Sequence, residues 1–327
     1  MTSGVRASIV IPAYNAQRFI AGAITSARAQ TLRDIEIIVV DDGSRDGTAT
    51  AALDAAGNDP RVRVICYEMN RGAAHARNVA LAAASGTWIA PLDADDAFSP
   101  DRLARLVPLA ETVGADLLAD NIELDLPGVP ALTAFRHGEQ HPRHPLSLLR
   151  FLALDTPGSE DLPAGFMHPV MRRTFLERHG LTYPEDIHAG EDFHLYVRAM
   201  LRGARLFCIS DAYYRARVRA DSLSRADPAR NAEAFTRSIA ALRAEADALG
   251  QRRISRALSR RADALASYAE YSRLADALRE RRLAEAFRRF ARMATRRYTW
   301  QRLRGAAARR LIPRRPGALR TLGGSRP

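Results

Sequence analysis

Three carboxylates follow one apolar run in the first third of the chain and raise the first chemical question. The run IAPLDADDAFSP, residues 89–100, carries Asp93, Asp95 and Asp96 with no basic residue between them. Crowded like charges repel one another unless a cation or hydrogen-bond donors compensate them. Because carboxylate oxygens are preferred ligands of hard divalent cations, this segment is a candidate metal site.

A sheet must position these carboxylates, because the first half of the chain alternates β-rich runs with helical ones. The runs SIVIP, IEIIVV, VRVICY and TWIAPL are each followed by a helix-like stretch. Strands that alternate with helices indicate a parallel sheet covered on both faces. The sequence therefore predicts an α/β domain whose ligands bind beyond the carboxyl ends of the strands.

Polar segments follow all four strand-like runs. They are residues 13–15, 41–44, 70–72 and 93–96. In the second segment, Asp42 precedes a Gly-Ser turn and could face base N–H groups or ribose hydroxyls. In the fourth, Asp93 and Asp95 could offer oxygens to Mg²⁺ or Mn²⁺. A single Asp there is usually a helix N-cap or turn residue, but four segments at one edge favour a ligand site.

Residues 7 to about 225 resemble the family 2 glycosyltransferases. The resemblance rests on the motifs IVIPAYN (9–15), Gln30-Thr31, VVDDGSRDGT (39–48), NRGAAHARN (70–78), SGTWIAPLDADD (85–96) and GED (190–192). It implies the GT-A fold, a Rossmann-like, mostly parallel sheet with flanking helices. It also implies an inverting, metal-dependent enzyme of bacterial cell-surface polysaccharide biosynthesis. Such enzymes transfer a sugar from a nucleoside diphosphate donor, with a UDP-type donor favoured here, to a hydroxyl of a saccharide or lipid-linked acceptor.

The resemblance also assigns residues to the nucleotide. The family pattern places Pro12, Ala13 and Tyr14 along the base, and Asp42 against the base or the ribose. These four residues are the expected nucleoside-binding set.

Five further residues are assigned to the diphosphate and its metal. Asp93 and Asp95 occupy the family's DxD positions, with Asp95 expected as the direct ligand of Mg²⁺ or Mn²⁺ and Asp93 nearer the ribose. Asp96 is an additional, supporting carboxylate. Arg71 and Arg77 lie where basic side chains could meet the diphosphate, although Arg77 could equally pair with a carboxylate at the strand ends.

The GED segment supplies the expected catalytic base. An inverting transfer needs a carboxylate that takes the proton of the acceptor hydroxyl as its oxygen attacks. Asp192 matches the base position of the family, and Glu191 is expected to orient the acceptor or Asp192 itself. At the start of a predicted helix, acids are also favoured by the helix dipole alone. The other motifs decide in favour of catalysis.

The histidines of the chain do not complete a family pattern. Relatives often carry a His near the end of the domain, where the segment YYRARVRADSLS has Arg219 instead, so Arg215 or Arg219 is a candidate phosphate contact. His188 and His194 flank the GED motif, with a direct role expected for neither. The segment HGEQHPRH, residues 137–144, matches no metal-ligand spacing and favours a polar loop near the acceptor.

The net charge of +12 lies in the C-terminal part of the chain. Residues 1–229 contain 24 Arg and 29 acids, whereas residues 230–327 contain 25 Arg and 8 acids. We therefore predict a GT-A domain over 1–229 and an Arg-rich helical extension over 230–327. The composition of this extension is consistent with two alternatives. It could contact an anionic membrane surface, or it could be a solvated tail. Nucleic-acid binding is not expected, because no recognition module is visible. Among its arginines the extension carries Phe287, Phe290, Trp300 and Leu303.

The sequence also suggests a compartment. No apolar run is long enough to span a bilayer, and the first residues lack the features of a signal peptide, so a cytoplasmic chain, peripheral at most at the inner membrane face, is expected. Cys66 and Cys208 each lie in a strand-like run and are expected to be buried free thiols.

Three other functional classes compete with the transferase. A non-catalytic nucleotide-sugar binding or scaffolding protein would keep Asp42 and Asp95 but lack a competent base, and Asp192 in its GED context argues against it. A nucleotidyltransferase needs a glycine-rich basic loop after the first strand, where this chain has IPAYN. A nicotinamide dehydrogenase is disfavoured because no GxGxxG motif follows that strand.

Overall fold

The computed structural model describes residues 4–125, 132–135, 142–155, 163–187, 189–218 and 228–293. The chain divides into two compact units, residues 1–151 with 164–219 and residues 152–163 with 220–327. The boundary after residue 229 that the sequence suggested stays a prediction.

The first half of the larger unit alternates strands and helices, which confirms the prediction. The elements are β1 (Ala7–Ala13), α1 (Ile20–Arg28), β2 (Ile35–Asp41), α2 (Thr48–Ala56), β3 (Val62–Cys66), α3 (Ala73–Ala83) and β4 (Trp88–Pro91). The four strands are parallel and lie in the order β3-β2-β1-β4. Every residue of β1 is buried. Burial on both faces explains why this strand is apolar almost throughout instead of alternating with polar residues.

The following part of the chain, residues 97–217, extends this sheet. The elements are β5 (Ala97–Phe98), α4 (Arg102–Val113), β6 (Leu117–Asp125), β7 (Leu132–Thr133), α5 (Leu148–Leu154), a 3₁₀ turn (Ala164–Phe166), β8 (Val170–Arg172), α6 (Arg173–Arg178), α7 (Glu191–Leu201) and β9 (Leu206–Arg217). Over the described residues the sheet order is β3-β2-β1-β4-β8-β6-β9-β5, with β7 beside β6. Strand β8 is antiparallel to β4 and β6, whereas β9 is parallel to β6. The sheet is thus parallel through its first four strands and mixed beyond them.

A buried ion pair connects elements of the second half of the sheet. Arg102, at the start of α4, donates from Nη2 to Oδ1 of Asp120 on β6 at 2.8 Å, and both side chains are fully enclosed. The same guanidinium donates to the carbonyl oxygen of His168 and lies over the ring of Phe98. Asp120 also accepts from the backbone N–H of Tyr213 on β9. The pair therefore fixes α4, β6 and β9 relative to one another.

The smaller unit contains three helices among its described residues. They are α8 (Pro228–Ala248), α9 (Arg252–Arg279) and α10 (Leu283–Met293). Helices α8 and α9 pack against each other and bury apolar side chains at helical spacing, which agrees with the helical extension expected from the sequence. The buried positions are Ile239, Leu242, Ala246, Leu258, Leu265 and Leu274. Within the described ranges, no helix combines the length and apolar character needed to cross a membrane.

The two cysteines are free thiols, but their burial differs from the prediction. Cys66 is exposed, so the expectation of a buried thiol was wrong there. The reason is that it ends β3, the first strand of the sheet order, which has a neighbouring strand on only one side. Cys208, on β9 in the interior of the sheet, is half-buried and not fully buried as expected, and desolvation raises the pKa of its thiol to about 12.

Candidate functional site

The loops after β1 and β2 are joined to each other at the carboxyl edge of the sheet. Asn15, whose φ of 49° is in the left-handed region, donates its backbone N–H to Oγ of Ser44 at 2.9 Å. Of the predicted base-binding residues, Pro12 and Ala13 are buried at the end of β1. Tyr14 is 43% exposed and can offer its ring to a ligand.

Asp42 organises the loop after β3. Its carboxylate accepts hydrogen bonds from the backbone N–H groups of Arg71 and Gly72 and from Nδ2 of Asn70, at 2.7 to 3.1 Å. Gly43, with φ +68°, allows this approach because a Cβ there would lie 2.6 Å from the backbone nitrogen of Asn70. The sequence suggested donors from a nucleotide, whereas the structure gives Asp42 donors from the protein. Its predicted contact with base or ribose stays a prediction.

Arg77, on α3, joins the DxD segment to the GED segment. Its Nη2 donates to Oδ1 of Asp93 and its Nη1 donates to Oε1 of Glu191, both at 2.8 Å. The same Nη2 lies 3.8 Å from Oδ2 of Asp192. Of the two possibilities that the sequence left open for Arg77, the structure has the carboxylate pairing. One nearly buried guanidinium therefore forms ion pairs with three carboxylates.

The surroundings of Asp192 bring the pKa of its carboxyl close to neutral pH. Asp192 is the second residue of α7, and its Oδ1 lies 3.5 Å from the hydroxyl oxygen of Tyr196. Burial raises the pKa of its carboxyl to about 7, repulsion from Glu191 and Asp93 acts in the same direction, and Arg77 opposes the shift. A base is most effective when its pKa lies near the operating pH.

Three side chains at this edge could hold a metal ion. Among the described residues, Asp93, Asp96 and His168 place one ligand atom each within 4.8 Å of one another. His168 is buried, and its Nδ1 has no hydrogen-bond partner in the described part of the chain. Carboxylate oxygens with one imidazole suit Mn²⁺, and Mg²⁺ accepts the oxygens. The predicted ligand Asp95 is not a member of this group, so its role stays a prediction.

The repulsion between the acids of this group can be relieved by a proton or by a bound cation. Burial raises the pKa of the Asp96 carboxyl well above its usual range, and repulsion from Asp93 and Asp95 adds to the shift. At Asp93 desolvation acts in the same direction, but Arg77 and His168 outweigh it and lower the pKa. Burial also lowers the pKa of His168 to about 4, so its imidazole is neutral near pH 7 and able to bind a metal.

His168 and Tyr214 belong to this site and were missed in the sequence. The hydroxyl of Tyr214 donates to Oδ2 of Asp96 at 2.8 Å, and its ring stacks on His168 with centroids 4.3 Å apart. Tyr214 lies in the segment YYRARVRADSLS, in which this chain has Arg219 where relatives often have a histidine. His168 had no local signal, because it reaches Asp93 only through the antiparallel pairing of β8 with β4.

Two other predicted phosphate contacts point to the surface. The side chain of Arg71 is 56% exposed, and its Nη2 lies 3.9 Å from a carboxylate oxygen of Glu185. Arg215, on β9, lies 3.5 Å from the carboxylate of Glu123 on β6. Among the described residues both arginines are in long ion pairs, so they could turn towards a phosphate.

The remaining predictions fall elsewhere. His194 is buried on α7. His188, Arg219, Trp300 and Leu303 lie outside the described residues, as does most of the HGEQHPRH segment.

Comparison with known proteins identifies the family. The family model described as glycosyl transferase family 2 matches residues 8–154. Residues 8–154 of this chain therefore belong to glycosyl transferase family 2. The succinoglycan biosynthesis protein ExoO of Rhizobium meliloti is 38% identical over 218 residues, which cover 67% of this chain and 62% of ExoO. The match therefore spans less than two thirds of the length of that relative.

Solved structures support the fold. The crystal structure of S. aureus TarS 1-349 in complex with UDP has a TM-score of 0.58 and 24% identity, covering 73% of this chain and 65% of TarS 1-349. A mannosyltransferase from Pyrobaculum calidifontis, solved with GDP-Man and Mn²⁺, has a TM-score of 0.54 and 20% identity, covering 95% of this chain and 88% of its own. At these identities the likeness establishes the fold alone, and it agrees with the predicted GT-A class.

Proposed function

We propose that this family 2 chain is an inverting, metal-dependent glycosyltransferase that moves a sugar from a nucleoside diphosphate donor to an acceptor hydroxyl. The observation that carries the proposal is the shared guanidinium of Arg77, which connects Asp93 on the donor side with Asp192 on the acceptor side. A donor-bound sugar and a general base must lie side by side for a single displacement. This arrangement supports catalysis over mere nucleotide binding.

The donor nucleotide would lie along the ends of β1 and β2. We propose that Pro12, Ala13 and Tyr14 contact the base, and that Asp42 acts at least by fixing the loop that carries Arg71. A UDP-type donor is our preferred candidate, which the UDP complex of TarS supports. The GDP-Man complex of the Pyrobaculum enzyme makes a guanosine donor the alternative to test.

Asp93, Asp96 and His168 fit a divalent cation, with Asp95 the further candidate from the DxD pattern. Bound there, Mg²⁺ or Mn²⁺ would stabilise the charge of the leaving diphosphate as a Lewis acid. The Mn²⁺ in the Pyrobaculum structure supports this choice of metal.

Asp192 is the proposed general base. Its carboxylate takes the proton of the acceptor hydroxyl while the acceptor oxygen forms a bond to the anomeric carbon and the bond from that carbon to the diphosphate oxygen breaks. Glu191, held by Arg77, would orient the acceptor. Inversion follows from a single displacement.

The acceptor and the setting follow from the relatives. The printed role of ExoO in succinoglycan biosynthesis supports a saccharide or lipid-linked saccharide acceptor in bacterial polysaccharide assembly. A lipid-linked acceptor would place the reaction at the cytoplasmic face of the membrane, which is the location we propose.

A thermal-shift screen tests the donor site without knowledge of the acceptor. UDP, GDP, CDP and dTDP are each added with and without Mn²⁺ to wild type, to Asp95→Ala and to His168→Ala. The matched histidine control is His179→Ala, at the residue that follows α6. A nucleotide at a hundred times its dissociation constant adds about 2.7 kcal/mol to the free energy of unfolding. We expect one nucleotide to give a manganese-dependent shift that the control retains and both site variants lose.

A second experiment separates an enzyme from a binding protein. With the nucleotide identified, release of that nucleotide from its sugar conjugates is measured for wild type and Asp192→Asn. We expect the variant to keep the nucleotide shift and to lose release by a factor of about 10² to 10⁴. No nucleotide shift in a folded wild-type protein would contradict the proposed donor site, and equal release by the variant would contradict the assigned base.

A further inference from the structure

The smaller unit has an exposed apolar face that the proposed chemistry does not use. Leu283 and Phe287 of α10 are 68% and 73% exposed. Because they lie four residues apart, they share one face of the helix, which we call the α10 face. Leu278, near the end of α9, is 53% exposed. Single exposed apolar residues are ordinary, whereas a cluster within ten residues marks an interaction site.

Helix α10 is fixed to α9 by a different side. Ala286 is buried together with Leu274 and Ala277 of α9. Arg289 of α10 pairs with Glu270 of α9 at 3.2 Å. These contacts hold the helix in place, so the α10 face is a feature of the folded unit.

The surroundings of the α10 face are basic. Residues 278–289 contain five Arg and two Glu, and the chain after Glu285 contains 13 Arg and no acid. Arg281 and Arg288, on either side of the α10 face in the sequence, are exposed. A partner for this surface must therefore carry negative charge and also accept apolar side chains.

We propose that the α10 face docks on an anionic lipid bilayer, with Leu283 and Phe287 inserted below the headgroups and the flanking arginines at the lipid phosphates. Helices with an apolar face and an Arg-rich polar face bind membranes in this way. A second copy of the chain is a poorer partner, because two basic surfaces would repel each other. A nucleic acid would satisfy the arginines but leave the apolar side chains in water. The inference does not depend on the transferase chemistry.

Vesicle flotation of the full chain tests the proposal. The probes are vesicles of phosphatidylcholine with one quarter phosphatidylglycerol, and vesicles of phosphatidylcholine alone. We expect wild type to float with the anionic vesicles only, and the double variant Leu283→Glu with Phe287→Glu to lose about tenfold or more in apparent affinity. Leu249→Glu, at an exposed leucine that follows α8, is the matched control and should bind like wild type. Circular dichroism checks that all three proteins are folded.

Insertion has its own readout. Both tryptophan variants are made in a Trp300→Phe background. The tryptophan fluorescence of Phe287→Trp should shift to the blue when anionic vesicles are added, whereas that of Leu249→Trp should not. Equal flotation of wild type and the double variant would mean that charge alone binds the chain, and would overturn the proposal. Absence of wild-type flotation, or light scattering that shows a dimer abolished by the double variant, would also overturn it.

Discussion

Two buried arginines of the larger unit meet acids in different ways. Arg102 pairs with one carboxylate, Asp120, and both side chains are sealed from solvent. Arg77 is nearly as buried, but it is shared by Asp93, Glu191 and Asp192, of which Asp93 is 34% exposed. The first arrangement balances one positive charge with one negative charge. The second leaves an excess of negative charge at the edge of the sheet.

The difference separates a balanced ion pair from the charged cluster of the candidate site. A balanced, enclosed pair needs nothing from outside, and its contribution lies in fixing α4, β6 and β9. An excess of carboxylates must be compensated by protons or by a bound cation. Perturbed pKa values next to a cleft are typical of active sites. Acids in excess of the buried arginine are therefore a better marker of this site than burial of the arginine itself.

The largest expected effect comes from breaking the sealed pair. Arg102→Met leaves Asp120 buried without its partner, which should lower the free energy of unfolding by about 3–5 kcal/mol. Urea unfolding followed by circular dichroism measures this. Arg6→Met, which breaks the exposed pair of Arg6 with Glu111, is the control and should cost less than about 1 kcal/mol. Equal losses in the two variants would show that the sealed pair is not structural.

Acid should act on the shared cluster through Asp192. Its pKa in the folded protein is about 7, above the usual 3.8, so the base is protonated below that pH. Turnover should fall by about tenfold per pH unit below pH 7 and level off above it. Stability should change in the opposite direction to turnover. Protonation of Asp192 favours the folded state, and this contribution to the free energy of unfolding is lost as the pH rises from 4 through 7. A pH profile of donor turnover that is flat from pH 5 to 8 would contradict this.

Removing the shared arginine should destabilise less than removing the sealed one. Arg77→Gln leaves carboxylates that can take up protons or contact water, so we expect a loss of about 1–3 kcal/mol. The larger excess of negative charge should make Mn²⁺ stabilise this variant more than wild type. Arg77→Lys, which keeps the charge, is the control for that metal effect. If Mn²⁺ raises the melting temperature of wild type and Arg77→Gln equally, the charge argument fails.

The smallest effect is expected at Arg71. Its side chain is exposed and lies in a long ion pair with Glu185, so Arg71→Ala should change the free energy of unfolding by less than about 0.5 kcal/mol. This variant retains the backbone N–H of residue 71, which donates a hydrogen bond to the carboxylate of Asp42. We expect nucleotide affinity to fall in a titration monitored by thermal shift. A large loss of stability would mean that the side chain, and not the backbone, holds this loop.

The sequence patterns predicted the central strands and several site residues. Strands β1 to β4 were visible because each is a short apolar run bounded by turn residues, a signal that does not depend on distant contacts. The start of β9 was visible as the strand-like run around Cys208, whereas the rest of that strand, residues 210–217, combines buried, half-buried and exposed positions in irregular order. Cys66 was misjudged for a related reason, since an apolar run does not reveal whether its strand lies at the end of the sheet.

The amino-acid order by itself determined the α/β alternation, the motifs of family 2 and the positions of Asp93, Asp95 and Asp192 at the starts of loops and helices. These features are local, since they depend on side-chain periodicity and on neighbours within a few residues. The tertiary structure alone decided that Arg77 is shared between the DxD and GED segments and that His168 joins Asp93 and Asp96. The physical reason is strand order: β8 runs antiparallel beside β4, so the residues that precede β8 meet those that follow β4.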